Sequence, residues 1–307
     1  MDFKEFAKKP MRLTPGHRMC AGCPAPVIAR TVVGATDKPV VVANATGCLE
    51  VATTIYPYTS WNVPWIHNLF ENAAATISGA ETAYRVLKKK GKIKKDIRFV
   101  AFGGDGGTYD IGLQSLSGAL ERGHDFTYVC YDNEGYMNTG NQRSSATPMG
   151  ASVTTAPEGK VHHGKEQWKK NLMEIAVAHD IPYAAQATIG NWIDFVKKAE
   201  KAHNTRGPSV LVVLSPCVLF WGIPTSSPVA ITKAAIDTCF WPLYEVEDGN
   251  YKLNYKPPQK LPITEFIKTQ SRFRHLLKPE YKDIVDNIQS HIDRDWAKVL
   301  KLTGECG

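Results

Sequence analysis

Apolar and polar positions alternate between two periods along the first two thirds of the chain. Short continuous apolar runs, "KPVVVANATG", "IRFVAFGG", "FTYVCYDN" and "PSVLVVLSP", stand between longer segments in which apolar residues recur every three to four positions. The first kind predicts strands buried on both faces, the second predicts helices. The helical segments are "ENAAATISGAETAYRVLKKK", whose closing lysines suit the negative end of a helix, "DIGLQSLSGALERG", ended by Gly123, and "WKKNLMEIAVAHD" and "NWIDFVKKAEKAHN". Strands of this kind separated by helices imply an α/β fold, a mostly parallel sheet with helices on both faces. Ligands of such sheets bind at the carboxyl ends of strands. Three glycine turns follow strands directly: "NATGC", "FGGDGG" and "YDNEGYMNTG".

Beyond Pro228 the pattern changes. "CFWPLYEVEDGNYKLNYKPPQKLP" predicts irregular or hairpin structure, and "PEYKDIVDNIQSHIDRDWAKVLKL" an amphipathic helix with Ile284, Ile288, Ile292 and Trp296 on one stripe. The expected organisation is one domain over 1–228 and a C-terminal extension over 229–307, its stripe meeting a partner subunit. A helix folded back on the chain's own core is the alternative.

Composition narrows the class. The 307 residues suffice for a full core, and 43% apolar with 22% charged content excludes disordered and fibrous chains. No run of about 18 apolar residues occurs and the start has no apolar signal core, so a cytoplasmic protein without membrane contact is expected. The net charge of +7 raises nucleic acid as a partner, yet the lysines are spread over predicted helix faces ("VLKKKGKIKK", "WIDFVKKAEKAH") without a basic module interleaved with aromatics. A solvated basic surface, which also suits an acidic protein partner, is the reading. Cys20, Cys23, Cys48, Cys130, Cys217, Cys239 and Cys306 make an odd set, which argues against a disulfide framework and for metal or cluster ligation by some of them.

The turn "FGGDGG" ends a strand on glycines around one acid. Backbone N–H groups at such a turn can receive a phosphate, because glycine permits close approach. Asp105 adds a hard oxygen ligand. Asn133, 28 residues later at the end of the next strand, offers an amide oxygen that could complete an Mg²⁺-type site with a carbonyl of its own turn. The plain alternative is a tight turn with Asp105 capping the following helix. Separately, "HRMCAGCP" places Cys20 and Cys23 in a C-x-x-C loop, which leaves zinc, a redox dithiol and an iron–sulfur centre open. Two more ligands are needed for a closed site. Cys48 in "NATGC" and Cys217 in "LSPC" project from the same sheet edge. Cys130 sits inside an apolar strand as a small buried hydrophobe, while Cys239 and Cys306 have no partner pattern.

Gly-Asp-Gly, then 26 residues, then Asn resembles the thiamine diphosphate fingerprint, and "GDGGTYDIG…YDNEGYMNTGNQRSSATPMGA" resembles a narrower family, the 2-oxoacid:ferredoxin oxidoreductases, in particular the separate β subunit of the pyruvate enzyme. The resemblance covers residues 14–225. It implies a thiamine diphosphate-binding fold with Mg²⁺ on the Asp105 and Asn133 side chains and the Gly135 carbonyl. It also implies one [4Fe–4S] cluster on Cys20, Cys23, Cys48 and Cys217. Cofactor contacts are implied for Ala25, Cys48, Gly104, Asp105, Gly106, Gly107, Asn133, Glu134, Gly135, Tyr136, Met137 and Asn138, with Asn138 also the catalytic residue turned to substrate. The implied activity is oxidative decarboxylation of a 2-oxoacid, pyruvate first, with electrons passing singly to ferredoxin and coenzyme A a candidate co-substrate. Partner α and γ/δ subunits are implied, the α subunit supplying the glutamate that activates the cofactor.

One departure bears on the substrate. Many relatives carry Gly-Glu after the second cysteine, where this chain has Pro24 and Ala25, and this keeps oxalate or a branched 2-oxoacid in view. A thiamine decarboxylase or carboligase without redox chemistry is the remaining alternative. "YPYTSWNVPWIHNLFENAAA" places His67, Asn68 and Asn72 before a helix as candidate diphosphate neighbours, with capping the plain account of Asn68. Thr139 and Arg143 are candidates for substrate or partner contact against a purely structural loop. His17 is expected to be a hydrogen-bonding loop residue, and His162 and His163 to lie on the surface.

Overall fold

The computed structural model describes residues 2–305, so Cys306 lies outside the described residues. A short helix α1 (Phe3–Ala7) starts on an Asp2–Glu5 capping box. Helix α2 (Ala25–Gly34) opens on Pro24 and Pro26, as the missing amide of proline allows, and buries Ile28, Val32 and Val33. The first apolar run forms β1 (Val40–Ala45), followed by α3 (Cys48–Thr53), β2 (Trp65–Asn68) and α4 (Ala73–Lys89). Then come β3 (Arg98–Gly104), α5 (Leu113–Glu121), β4 (Thr127–Asp132), α6 (Leu172–Val177), β5 (Tyr183–Thr188), α7 (Trp192–Asn204) and β6 (Ser209–Leu214). The last part holds α8 (Pro228–Asp237), β7 (Tyr244–Glu247), β8 (Asn250–Leu253), α9 (Thr264–Ile267) and α10 (Lys282–Leu302).

The strands form one sheet in the order β2-β1-β3-β4-β6-β5-β7-β8. The first six are parallel, with Asn44 of β1 beside Phe102 of β3 and Gly104 beside Tyr131 of β4, so the glycine turns end level with one another. Helices α4, α5, α6, α8 and α10 bury Ile77, Leu116, Leu172, Ile231 and Ile292 on one face, and α2 and α7 bury Val32, Phe195 and Val196 on the other. Every position of β4 and β6 is buried, as continuous apolar runs require.

Three elements differ from the sequence reading. Strand β5, "YAAQAT", is built mostly of alanine, which carries little strand signal, and the four-residue edge strand β2 is too short for periodicity to register. Helix α6 begins only at Leu172, because the Asn171 side chain accepts the Glu174 N–H and starts the helix there. The sheet runs across the 228/229 boundary: β7 pairs antiparallel with β5, and β8 with β7. The stripe on α10 turns to the chain's own core, where Ile288 and Ile292 are each 2% exposed and Ile284 and Trp296 pack against the same cluster.

Candidate functional site

The turn that follows strand β3 is built of glycine because its neighbours leave no room. A Cβ on Gly106 would stand 2.4 Å from the Tyr136 ring, and one on Gly107 2.8 Å from the Phe70 carbonyl oxygen. Residues Gly106–Asp110 form a wide π-type turn ahead of α5, a form enriched at functional sites. Asp105 stands at its head, yet its side chain caps nothing. Instead Oδ1 accepts the Asn133 backbone N–H at 3.1 Å and Oδ2 accepts the Ser144 hydroxyl at 2.5 Å. The capping alternative is therefore not the role of this residue. Asp105 is completely buried, and burial, followed by the charge of Asp132, holds its carboxyl well above the usual range.

The Asn133 side-chain amide lies 2.8 Å from both Asp105 Oδ1 and the Gly135 carbonyl oxygen. With its nitrogen toward them it donates to both. With its oxygen toward them, three oxygens face one point, the donor set a hard divalent cation gathers. A buried carboxylate short of counter-charge, an amide and a carbonyl thus fit Mg²⁺, whose remaining positions diphosphate oxygens would fill. Tyr136 Oη donates to the Gly106 carbonyl at 2.9 Å and pins the two turns together.

Beside this point lies a cleft lined by Cys48, Gly104, Gly106, Gly107, Asn133, Gly135, Tyr136, Met137, Asn138 and Thr139. Asn138 is exposed at its mouth. Thr46, Gly47, Phe70 and Tyr131 also line it, and the sequence reading missed them. Position was the available signal, since all four sit within or next to the turns that end β1, β2 and β4.

Glu134 and Ala25 depart from expectation. Glu134, whose φ is positive at 64°, is buried and absent from the cleft lining, and its carboxylate meets Arg272 Nη2 at 2.5 Å. Ala25 does not line the cleft; it heads α2, and its N–H reaches the Cys23 thiol. His67 and Asn68 lie on β2 and not before a helix. His67 Nε2 meets the Thr46 hydroxyl at 3.0 Å, Asn68 bonds the Thr76 hydroxyl, and Asn72 at the start of α4 makes no side-chain cap. Arg143 bonds Gln167 away from the cleft, and His162 is exposed and paired with Glu166.

The four candidate cysteines come from three segments. Gly22, with φ of +78°, brings the Cys20–Cys23 loop onto the loop after Cys217, where a Cβ would meet the Thr225 carbonyl at 2.0 Å. Burial pushes the thiols of Cys23 and Cys48 up to about 12; the charges of Cys217 and Cys20 add to this for both, and that of Cys48 for Cys23. The Phe220 N–H points at Cys217 Sγ at 3.5 Å, the kind of donor that thiolate ligands attract. Among the described residues no group of three or more His, Cys, Asp or Glu is gathered tightly enough for a metal ion. A cubane spreads its four thiolates around a larger body than a single ion; Cys23, Cys48 and Cys217 are half-buried and Cys20 is exposed. Cys130 is fully buried, as expected of a packed strand residue.

The chain was compared with known proteins. Residues 45–213 match the family model of the thiamine pyrophosphate enzyme, C-terminal TPP binding domain. Pyruvate synthase subunit PorB of Thermotoga maritima is 57% identical over 306 residues, covering 97% of this chain and 94% of that protein. PorB of Methanocaldococcus jannaschii is 50% identical over 94% of this chain and 96% of its own, and ketoisovalerate oxidoreductase subunit VorB of Pyrococcus furiosus is 41% identical over 94% and 92%. A solved 2-oxoglutarate:ferredoxin oxidoreductase from Magnetococcus marinus superposes with a TM-score of 0.56 at 22% identity, covering 72% of this chain and 69% of that one, a likeness of fold. No helix among the described residues is long and apolar enough to cross a membrane. The glycine-lined cleft at the strand ends, the match to the thiamine pyrophosphate family and full-length identity of this order make one assignment: the chain belongs to the PorB-type, thiamine pyrophosphate-binding subunits of the 2-oxoacid:ferredoxin oxidoreductases.

Proposed function

We propose that this chain is the thiamine diphosphate-holding β subunit of a pyruvate:ferredoxin oxidoreductase, a cytoplasmic enzyme completed by α and γ/δ subunits. The observation that carries the reading is the convergence of Asp105 Oδ1, the Asn133 amide and the Gly135 carbonyl beside the cleft. When bound, thiamine diphosphate supplies a nucleophilic carbon that adds to a ketone and takes up the electron pair left by departing CO₂. Asp105, Asn133 and Gly135 hold Mg²⁺ against the diphosphate. Gly104, Gly106 and Gly107 let backbone amides approach it, Met137 and Tyr136 wall the cleft, and Asn138 at its mouth orients the 2-oxoacid. Cys20, Cys23, Cys48 and Cys217 hold a [4Fe–4S] cluster that accepts electrons one at a time. In sum, 2-oxoacid, coenzyme A and two oxidised ferredoxins yield acyl-coenzyme A, CO₂, a proton and two reduced ferredoxins.

Pyruvate is favoured over a branched acid by the order of identity, 57% to a pyruvate synthase subunit against 41% to a ketoisovalerate subunit. None of the described residues lining the cleft is a glutamate, so the carboxylate that activates the cofactor comes from a partner subunit and the isolated chain is inactive. The test is anaerobic purification of the native complex, with iron and thiamine analysis and dye reduction on pyruvate, ketoisovalerate, 2-oxoglutarate and oxalate, with and without coenzyme A. Pyruvate should lead in kcat/KM by at least about tenfold, the discrimination one or two methylenes allow. Preference for another acid, turnover by the isolated chain, or absence of iron would each overturn its part of the reading.

A further inference from the structure

A buried ion pair under the cofactor turn has no evident stabilising purpose. Arg272, in the extension segment Ser271–Leu277, is completely enclosed, as is its partner Glu134. The pair is joined by one short contact of 2.5 Å, while Glu134 Oε1 and Arg272 Nη1 find no hydrogen-bond partner in the protein. A buried pair satisfied on one side only is a poor source of stability, and apolar residues would serve as well. What the pair does is span two functional loops. The guanidinium lies 3.7 Å from the centre of the Trp221 ring, and Trp221 Nε1 donates to the carbonyl of Asn133 at 2.9 Å. Trp221 is tied in turn to the cysteine loop through its own N–H, which donates to the Cys217 carbonyl at 2.9 Å. Gln270 Oε1 holds Arg272 Nε at 2.9 Å, and the Arg272 carbonyl accepts the Ser152 N–H, so the arginine is fixed from both sides.

We propose that Arg272 and Trp221 are positioning residues that hold the Asn133–Gly135 turn in its cation- and diphosphate-binding shape and join it to the Cys217 loop. The inference rests on the assignment of these loops to Mg²⁺–thiamine diphosphate and to the cluster. Glu134 carries no contact with the cleft, yet through Arg272 it fixes the backbone on either side of the Asn133 and Gly135 ligand atoms. The Trp221 bond aims the backbone of Asn133, and the aromatic face holds the guanidinium in place.

The experiment uses the full-length chain in its co-purified complex. W221F keeps the aromatic face under Arg272 and removes the N–H. Titration calorimetry with Mg²⁺ and thiamine diphosphate should show about fivefold weaker binding for W221F, the equivalent of ~1 kcal/mol for one lost hydrogen bond, with iron content unchanged and the chain still folded at the temperature of the titration. R272Q should weaken binding by about tenfold or more, and R272K, which keeps a cation beside Glu134 and Trp221, should restore part of it. Wild-type affinity in W221F, or in folded R272Q, overturns the proposal. If R272Q does not fold, the W221F titration decides alone. A wild-type complex that binds no thiamine diphosphate overturns the underlying functional reading, and the proposal with it, by a different observation.

Discussion

At the scale of single residues, Asp105 separates two meanings of one motif. An aspartate at the start of a helix ordinarily caps it, but here both carboxylate oxygens are engaged elsewhere, by the Asn133 backbone and the Ser144 hydroxyl. A wholly buried carboxylate near Asp132, whose own carboxyl burial and then the Glu134 charge push up to about 7, is costly to keep ionised in the apo protein. A divalent cation bound there would relieve that cost. Asp105→Ala should therefore weaken retention of thiamine diphosphate and Mg²⁺ by about 100-fold or more while leaving the visible absorbance of the cluster and the apo Tm intact. Cofactor content after gel filtration, read beside the absorbance spectrum, checks it; retained thiamine would remove Asp105 from the metal's ligands.

At the scale of elements, the sheet is clamped by helix pairs that meet through polar as well as apolar contacts. His203, in the last turn of α7, is 2% exposed, and its Nε2 donates to the Val32 carbonyl of α2 at 2.8 Å. Burial, outweighing that hydrogen bond, lowers its pKa from 6.5 to about 4. A histidine depressed in the folded state leaves stability untouched above 6.5, where neither state binds the proton. Stability is lost as pH falls from 6.5 toward 4, because only the unfolded chain gains the proton. The loss from this one group amounts to about 2 kcal/mol between pH 7 and pH 5. Urea unfolding at the two pH values should show it for the wild type, and His203→Gln, which keeps a donor without titrating, should show a drop smaller by about that amount. An equal drop in both proteins would count against the buried neutral histidine.

At the scale of the whole molecule, three segments of the chain carry the candidate thiols: Cys48 follows β1, Cys217 follows β6, and the Cys20–Cys23 loop precedes α2. The Gly22 contact with Thr225 is what presses two of these loops together. Cys217→Ser should cost most of the iron and sulfide per chain in anaerobically purified complex, since a cluster with three thiolates is readily lost. Iron unchanged in that variant would take Cys217 out of the ligand set. The extension belongs to the same body. It completes the sheet with β7 and β8, returns α10 to the core, and sends Arg272 beneath the cofactor turn.

The α/β class, the succession of the main strands along the chain and the glycine turns that follow them were legible in the sequence, because continuous apolar runs, helical periodicity and glycine punctuation are local consequences of burial and backbone sterics. The spacing of Asp105 and Asn133 was legible for the same reason, as one helix and one strand span a fixed length of chain. Local patterns could not say where side chains point. Glu134 reads as a cofactor neighbour, yet its carboxylate meets Arg272, 138 residues away in the chain. Strand β5 and the placement of the α10 stripe depended likewise on partners distant in sequence, since alanine becomes strand and isoleucine becomes core only when other elements supply the pairing edge and the apolar surface. The sequence by itself determined the chemistry available at each turn; the tertiary structure decided which of those groups face one another, because contact is a property of packing between elements, and no single element contains it.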